Sequence, residues 1–95
     1  MKNIVAQFSM PDMNIQNYSQ TINDLKAAGV GAPNGRLFHV VTTQSKGMLV
    51  TDVWESEEKL NEFAKTLMPI LIKNGVQPAT PTFLSVHNII KNCQE

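Results

Sequence analysis

Hydrophobic residues follow two different periods along this chain. Residues 2–8 alternate with a period of two, which places Ile4, Ala6 and Phe8 on one face of a strand. Three later runs, 36–42, 48–54 and 82–90, also have the pattern of strands, two of them rich in β-branched and aromatic residues. The sequence therefore predicts four strands, with a polar hairpin loop at 43–47 between the second and the third.

Between these runs, apolar side chains recur every three or four residues, as on the buried face of a helix. The first such stripe contains Ile15, Tyr18, Ile22 and Leu25, and the second contains Leu60, Phe63, Ala64, Leu67 and Leu71. With Asn14 as N-cap and Gly29 as the left-handed stop, the first predicts a helix over 15–28. Ser56 caps the second helix, and Pro69 predicts a kink or a break near Met68, followed by a short helical piece that ends at Asn74-Gly75.

The predicted order βαββαβ is that of the ferredoxin-like fold in the α+β class. It gives one domain over 1–95, a four-stranded antiparallel sheet with two helices on one face. Phe38 and Val40 alternate with Leu37 and Val41, so neither face of the sheet is cleanly polar. Because two helices cover only one face, we expect a homodimer in which the sheets of two subunits pack together.

Composition narrows the class of protein without naming a reaction. The 95 residues are 42% hydrophobic and 17% charged, and eight basic residues balance eight acidic ones, which argues against a nucleic-acid partner. No apolar run approaches the ~20 residues of a membrane span, and the first residues are too polar for a signal peptide. The single cysteine, Cys93, excludes an intrachain disulfide framework. We expect a cytoplasmic protein without a metal site.

Three residues in the predicted hairpin carry the first candidate chemistry. His39 is either a general base or ligand anchor in a half-buried pocket, or a histidine that bonds a neighbouring backbone or hydroxyl group. Asp52 and Trp54 project to the same face and could bind a planar polar ligand. Alternatively, Trp54 fills the core or an interface, and Asp52 pairs with Arg36 or lies at the edge of the sheet. The hairpin register decides whether His39 shares their face.

Two further candidates lie elsewhere in the chain. His87 and Asn88 are expected in the last strand with their side chains on opposite faces, so that one can line a pocket while the other meets the dimer partner. Tyr18 is expected to pack its ring in the core and place its hydroxyl at the rim. Cys93 has no charged surroundings that would make it a nucleophile.

Several segments resemble the antibiotic-biosynthesis-monooxygenase-like family of the dimeric α+β barrel superfamily. They are the run Thr51-Asp52-Val53-Trp54-Glu55-Ser56, then Phe63 with Leu67 and Pro69, the strand Leu37-Phe38-His39-Val40, the helix entry Met13 to Tyr18, and Val86-His87-Asn88. The resemblance covers residues 3 to 90. It implies a dimer whose two sheets form a barrel, with a ligand cleft between sheet and helices in each subunit.

The resemblance implies two main hypotheses for function. The first is a monooxygenase without cofactor that acts on a small aromatic or polyketide-like molecule, with His39 and His87 as candidate catalytic bases. Trp54, Asp52 and Tyr18 would line its ligand site. The second is a non-catalytic, stress-associated dimer that binds a small apolar ligand. Haem binding with oxidative degradation is a third hypothesis that relatives suggest.

Overall fold

The computed structural model describes residues 3–90 and shows four strands and two helices in the expected order. The elements are β1 (Ile4–Met10), α1 (Ile15–Ala27), β2 (Arg36–Thr43), β3 (Met48–Trp54), α2 (Glu57–Lys73) and β4 (Thr82–Ser85). The strands form one antiparallel sheet in the order β2-β3-β1-β4. The α+β class and the ferredoxin-like arrangement are thereby confirmed. Within the described residues, no helix is long and apolar enough to cross a membrane.

The core lies between the sheet and the two helices. The residues of β3 that face the helices are all buried, and Ala6 and Met10 of β1 are buried beside them. Trp54 is the largest fully buried side chain, and its ring lies 5.6 Å from that of Phe63 on α2. Aromatic pairs at this separation stabilise a core beyond the area they bury. Trp54 is therefore a core residue, which confirms one of the two alternatives predicted for it.

Polar side chains fix the ends of both helices and tie α1 to α2. Asn14 and Asn17 form a reciprocal capping box at the start of α1, and Ser56 caps α2 through the backbone N–H of Lys59. At the other end of α2, the Asn74 side chain donates to Thr21 Oγ1 at 3.3 Å and to Asp24 Oδ2 at 3.0 Å. These bonds hold the helices in a fixed orientation over the sheet.

A break in α2 near Met68, one of the two alternatives predicted for Pro69, is wrong, because the helix continues through Pro69 to Lys73. A proline inside a helix removes one hydrogen bond, here the one that residue 69 would donate to the carbonyl of Lys65. Both residues are exposed, so that carbonyl is open to water. Leu67, Ile70 and Leu71 on either side of the proline pack against the core, and this burial favours one continuous helix.

The last strand is shorter than predicted, since β4 ends at Ser85 and not at residue 90. In the antiparallel register with β1, Ile4 lies opposite Ser85, and the Val86 N–H donates to the Asn3 carbonyl at 3.0 Å. Residues 87–90 therefore have no described segment of β1 opposite them. The predicted polar tail, with Cys93, lies outside the described residues.

The sheet face away from the helices mixes apolar and polar side chains. The register of the strands places six apolar residues there: Val5, Phe38, Val40, Leu49, Val53 and Leu84. Val40 and Leu84 are each 52% exposed. Gln7 and Thr51 lie among them and share a hydrogen bond of 3.4 Å. This surface, here called the open face, is less uniformly apolar than the sequence pattern suggests.

Candidate active site

The turn between β2 and β3 sets a register that pairs His39 directly with Asp52. The turn closes through a hydrogen bond of 3.0 Å from the Gln44 N–H to the Gly47 carbonyl. Gly47 has φ +74°, and a Cβ at this position would collide with the carbonyl oxygen of Met10. Only glycine fits both conditions, so this residue fixes the register that the sequence alone leaves open. His39 therefore shares the helix-facing side of the sheet with Asp52 and Trp54.

Asp52 is a buried carboxylate whose two oxygens each accept a hydrogen bond. Its Oδ1 lies 2.6 Å from His39 Nδ1, and its Oδ2 lies 3.4 Å from Trp54 Nε1. Asp52 is 4% exposed, and a buried carboxylate needs such partners to remain charged. The alternative in which Asp52 pairs with Arg36 is wrong, since the structure pairs it with His39.

Tyr18 of α1 completes a chain of three side chains. Its hydroxyl lies 2.7 Å from His39 Nε2, and its ring is within 10° of parallel to the imidazole, with the centroids 6.0 Å apart. Because a carboxylate only accepts, we assign the imidazole proton to Nδ1, which leaves the Nε2 lone pair to accept from Tyr18 O–H. Asp52 thus holds His39 in the tautomer whose Nε2 can accept a proton from the cavity side.

The environment of Tyr18 keeps its hydroxyl protonated. Burial raises the pKa of Tyr18 above its ordinary value; the positive charge of Arg36 lowers it, and the negative charge of Asp52 raises it further. A protonated phenol at this position both donates to His39 and retains an oxygen lone pair for another donor. The arrangement can pass a proton from a bound molecule through Tyr18 to His39.

This chain of side chains lies in the wall of a cavity between the sheet and both helices. The cavity has a volume of about 120 Å³, close to the roughly 150 Å³ of apolar cavities that take up a benzene ring. Its wall is mainly apolar, with contributions from every element except β4 and from the connector that contains Pro78 and Pro81. Four ionisable side chains also line it: Tyr18, Arg36, His39 and Asp52. The cavity therefore combines an apolar wall with four ionisable groups that can donate or accept hydrogen bonds.

The structure brings together three of the five predicted site residues on this cavity and separates the other two from it. Tyr18, His39 and Asp52 line the cavity, whereas Trp54 is sealed behind Asp52 in the core. His87 follows the end of β4, is exposed and does not line the cavity. Among residues 3–90, no three His, Cys, Asp or Glu side chains are grouped so that they could hold a metal ion.

Sequence reasoning missed Arg36 as a cavity residue. A β-bulge between Arg36 and Phe38 shifts the register, so that Arg36 lies opposite Trp54. Regular alternation would place Arg36 with Phe38 and Val40 on the open face, and the extra residue moves it to the helix side. No glycine or proline marks this bulge in the sequence, so the local pattern carries no signal for it.

Several solved structures share this architecture. SnoaB, a cofactor-independent oxygenase from Streptomyces nogalater, has a TM-score of 0.63 at 10% sequence identity, over 97% of this chain and 100% of that chain. This chain has the fold of the antibiotic biosynthesis monooxygenases. The ActVA-Orf6 monooxygenase of Streptomyces coelicolor, in complex with nanaomycin D, has a TM-score of 0.54 at 17% identity, over 96% and 91% of the two chains.

The resemblance seen in the sequence is thus confirmed as a likeness of fold. No protein-family model and no curated protein matches the sequence. At such low identities, the shared fold does not transfer a reaction, because one fold supports many functions. The function must be argued from the cavity itself.

Proposed function

We propose that the protein is a cofactor-independent monooxygenase that oxidises a small phenolic molecule. The observation that carries this proposal is the chain Tyr18–His39–Asp52, which ends at the wall of an apolar cavity. A base supported by a carboxylate, at the wall of a mainly apolar cavity, is suited to removing a phenolic proton. The fold shared with SnoaB, described as a cofactor-independent oxygenase, supports the same reaction class.

The first step is proton transfer. The substrate hydroxyl donates to the Tyr18 oxygen while the Tyr18 proton moves to Nε2 of His39. Nδ1 of His39 keeps its proton, and the Asp52 carboxylate stabilises the imidazolium that forms. Tyr18 ends the step protonated again, and the substrate is left as an electron-rich phenolate. Each group therefore has one defined role: Tyr18 relays the proton, His39 stores it, and Asp52 orients and stabilises His39.

The second step is the reaction of the phenolate with dioxygen. One electron passes from the phenolate to O2, and the two radicals combine at the ring carbon para to the oxygen. The stored proton gives a hydroperoxide at that carbon. Loss of the ring C–H proton, which returns to the base, breaks the O–O bond and leaves a carbonyl; the released hydroxide takes that proton and becomes water. The sum is one phenol and one O2 to one quinone and one water.

The test is oxygen consumption with one-ring phenols that carry a hydrogen at the para position. We expect phenol to give 1,4-benzoquinone with one O2 consumed and no peroxide released, at a rate that a metal chelator does not change. His39→Ala should lower the rate by about 10²-fold or more. His87→Ala is the matched control, since this exposed histidine lies outside the cavity, and it should leave the rate unchanged.

Two outcomes would overturn the proposal. Equal rates in wild type and His39→Ala would remove the histidine from the mechanism. Binding of the phenols without any oxygen uptake would instead favour a non-catalytic protein that holds a small apolar or aromatic ligand, which is the alternative function.

We also propose that two copies of the chain pack through the open face as a homodimer. The six apolar side chains of that face include Val40 and Leu84, each 52% exposed. Exposed apolar area of this kind on a sheet is stabilised when a second layer covers it. The helices already cover the opposite face, so a second sheet can pack here without disturbing the cavity.

A further inference from the structure

The cavity holds one positive charge that the proton-transfer chain does not use. Arg36 lines the cavity together with Tyr18, His39 and Asp52. No other Lys or Arg among the described residues contributes to this wall. Its charge reaches the site, since the positive charge of Arg36 lowers the pKa of Tyr18. The question is whether this guanidinium is already neutralised within the protein.

Among the described residues, no carboxylate forms an ion pair with Arg36. Both Asp52 oxygens accept from other residues, and the ion pairs found among residues 3–90 do not include Arg36. The guanidinium donates one long hydrogen bond, 3.4 Å from Nη2 to the Gly31 carbonyl, and its central carbon lies 5.8 Å from the centre of the Phe63 ring. The ring supports the cation from one side and leaves most of its five N–H donors available.

The backbone of β2 directs the Arg36 side chain to the cavity side of the sheet. The bulge between Arg36 and Phe38 inverts the alternation of β2, and without it Arg36 would lie on the open face. Bulges occur often beside binding sites, where they redirect a side chain. An arginine that is redirected into an apolar cavity, with no ion-pair partner within residues 3–90, is suited to bind an anionic ligand.

We propose that Arg36 is a specificity residue that selects substrates bearing a carboxylate on the aromatic ring. The planar guanidinium can bind a carboxylate through two parallel hydrogen bonds. Such a substrate would present its acid group to Arg36 and its hydroxyl to Tyr18, and the ring carbon para to the hydroxyl would stay free for the reaction. The substrate class is therefore a hydroxylated aromatic acid; this inference rests on the proposed function for the reaction but concerns binding alone.

The test measures binding under nitrogen, so that turnover plays no part. Trp54 is the only tryptophan in the chain and bonds to Asp52 in the cavity wall, so its fluorescence reports occupancy. The probes are 2-hydroxybenzoate and 3-hydroxybenzoate, which leave the para carbon free, each compared with the amide of the same shape and no charge. We expect the acids to bind about tenfold more tightly than the amides, as for a charged hydrogen bond.

Variants assign the preference to Arg36. Arg36→Gln should bring the affinities of acid and amide together, whereas Arg36→Lys keeps the charge without the planar fork and should retain part of the difference. Lys65→Gln is the control, since it removes the same charge from an exposed position on α2 that does not line the cavity. In wild type, added salt should weaken binding of the acids more than that of the amides.

Three results would overturn the inference: equal affinities for acid and amide in wild type, an unchanged preference in folded Arg36→Gln, or the same salt response for both probes. The last needs no variant, so the inference is testable even where Arg36→Gln fails to fold. A preference for acids without oxygen uptake would support this inference and contradict the proposed reaction. Oxygen uptake with no preference for acids would do the reverse.

Discussion

Nδ1 of His39 lies 2.6 Å from Oδ1 of Asp52, and the two residues are paired neighbours on adjacent antiparallel strands. Their side chains therefore meet without any loop between them, on the part of the sheet where the hairpin register is fixed. A site on paired strands keeps its geometry better than one on mobile loops. This contact determines which imidazole nitrogen faces Tyr18.

Replacing Asp52 by asparagine should test that role. An asparagine amide can donate to Nδ1, which would move the imidazole proton to Nε2 and set it against the Tyr18 hydroxyl. We expect oxygen uptake with phenols to fall by about 10²-fold or more while anaerobic binding of the same phenols stays close to wild type. Glu55→Gln is the matched control, since Glu55 follows Trp54 in the chain and forms an ion pair with Lys59. Equal losses in both variants would contradict the assignment.

The sequence predicted the order of the elements because hydrophobic periodicity and caps are local signals. It also placed Asp52 and Trp54 on one face, since that follows from alternation within a single strand. The pairing of His39 with Asp52 could not be predicted, because it depends on a hairpin register that Gly47 fixes through its contact with β1.

The remaining members of the site depend on contacts between distant parts of the chain. Tyr18 reaches His39 only through the packing of α1 on the sheet, and the tie between Asn74 and Asp24 helps to set that packing. Arg36 was missed because the bulge in β2 reverses its face. Periodicity describes one element at a time, and these features belong to two elements or to an irregularity within one.

The ionisation of Tyr18 can be measured directly, because it is the only tyrosine in the chain. Burial raises its pKa, so the ultraviolet absorbance change of phenolate formation should have its midpoint above the ordinary value of 10.0. Arg36→Gln should move that midpoint upward, since it removes a charge that lowers the pKa, and Asp52→Asn should move it downward. Shifts in the opposite directions would exclude the assigned electrostatic environment.

The same shift has a consequence for stability. Because the folded pKa lies above the unfolded one, the contribution of the protonated Tyr18 is complete below the unfolded pKa of about 10 and is lost as the pH rises through the folded pKa. The free energy of unfolding of Tyr18→Phe should therefore depend less on pH in the alkaline range than that of wild type. Its ring can still stack on His39, so the comparison isolates the hydroxyl.

Asp24 should contribute to acid stability in the opposite sense. Hydrogen bonds from Asn74, Lys73 and Gln20 lower the pKa of Asp24 below its ordinary value. Its contribution is therefore present above the unfolded pKa, about 4, and is lost as the pH falls through the folded pKa. Asp24→Asn should be less stable than wild type near neutrality and similar to it at pH about 2. Urea unfolding at both pH values measures this.

A surface carboxylate provides the control for Asp24. Glu62 forms an ion pair with Lys65, and both side chains are more than 70% exposed, at 76% and 73%. Exposed ion pairs contribute little to stability. Glu62→Gln should therefore leave the difference between the two pH values as in wild type. A loss as large as that of Asp24→Asn would show that the bonds between α1 and α2 are not the cause.

The proposed dimer makes a prediction for one residue of the open face. Val40→Lys places an ammonium group where the second sheet would pack. Burying an unpaired charge there destabilises the dimer by on the order of several kcal/mol. Sedimentation of wild type at micromolar concentration should give about twice the chain mass of 10.5 kDa, and Val40→Lys should give the single chain. Ile72→Lys is the control, since Ile72 is 64% exposed on α2. A wild-type protein that sediments as one chain would contradict this prediction, and so would dimer loss in Ile72→Lys alone. Either result would show that the open face is exposed to solvent and is not a dimer interface.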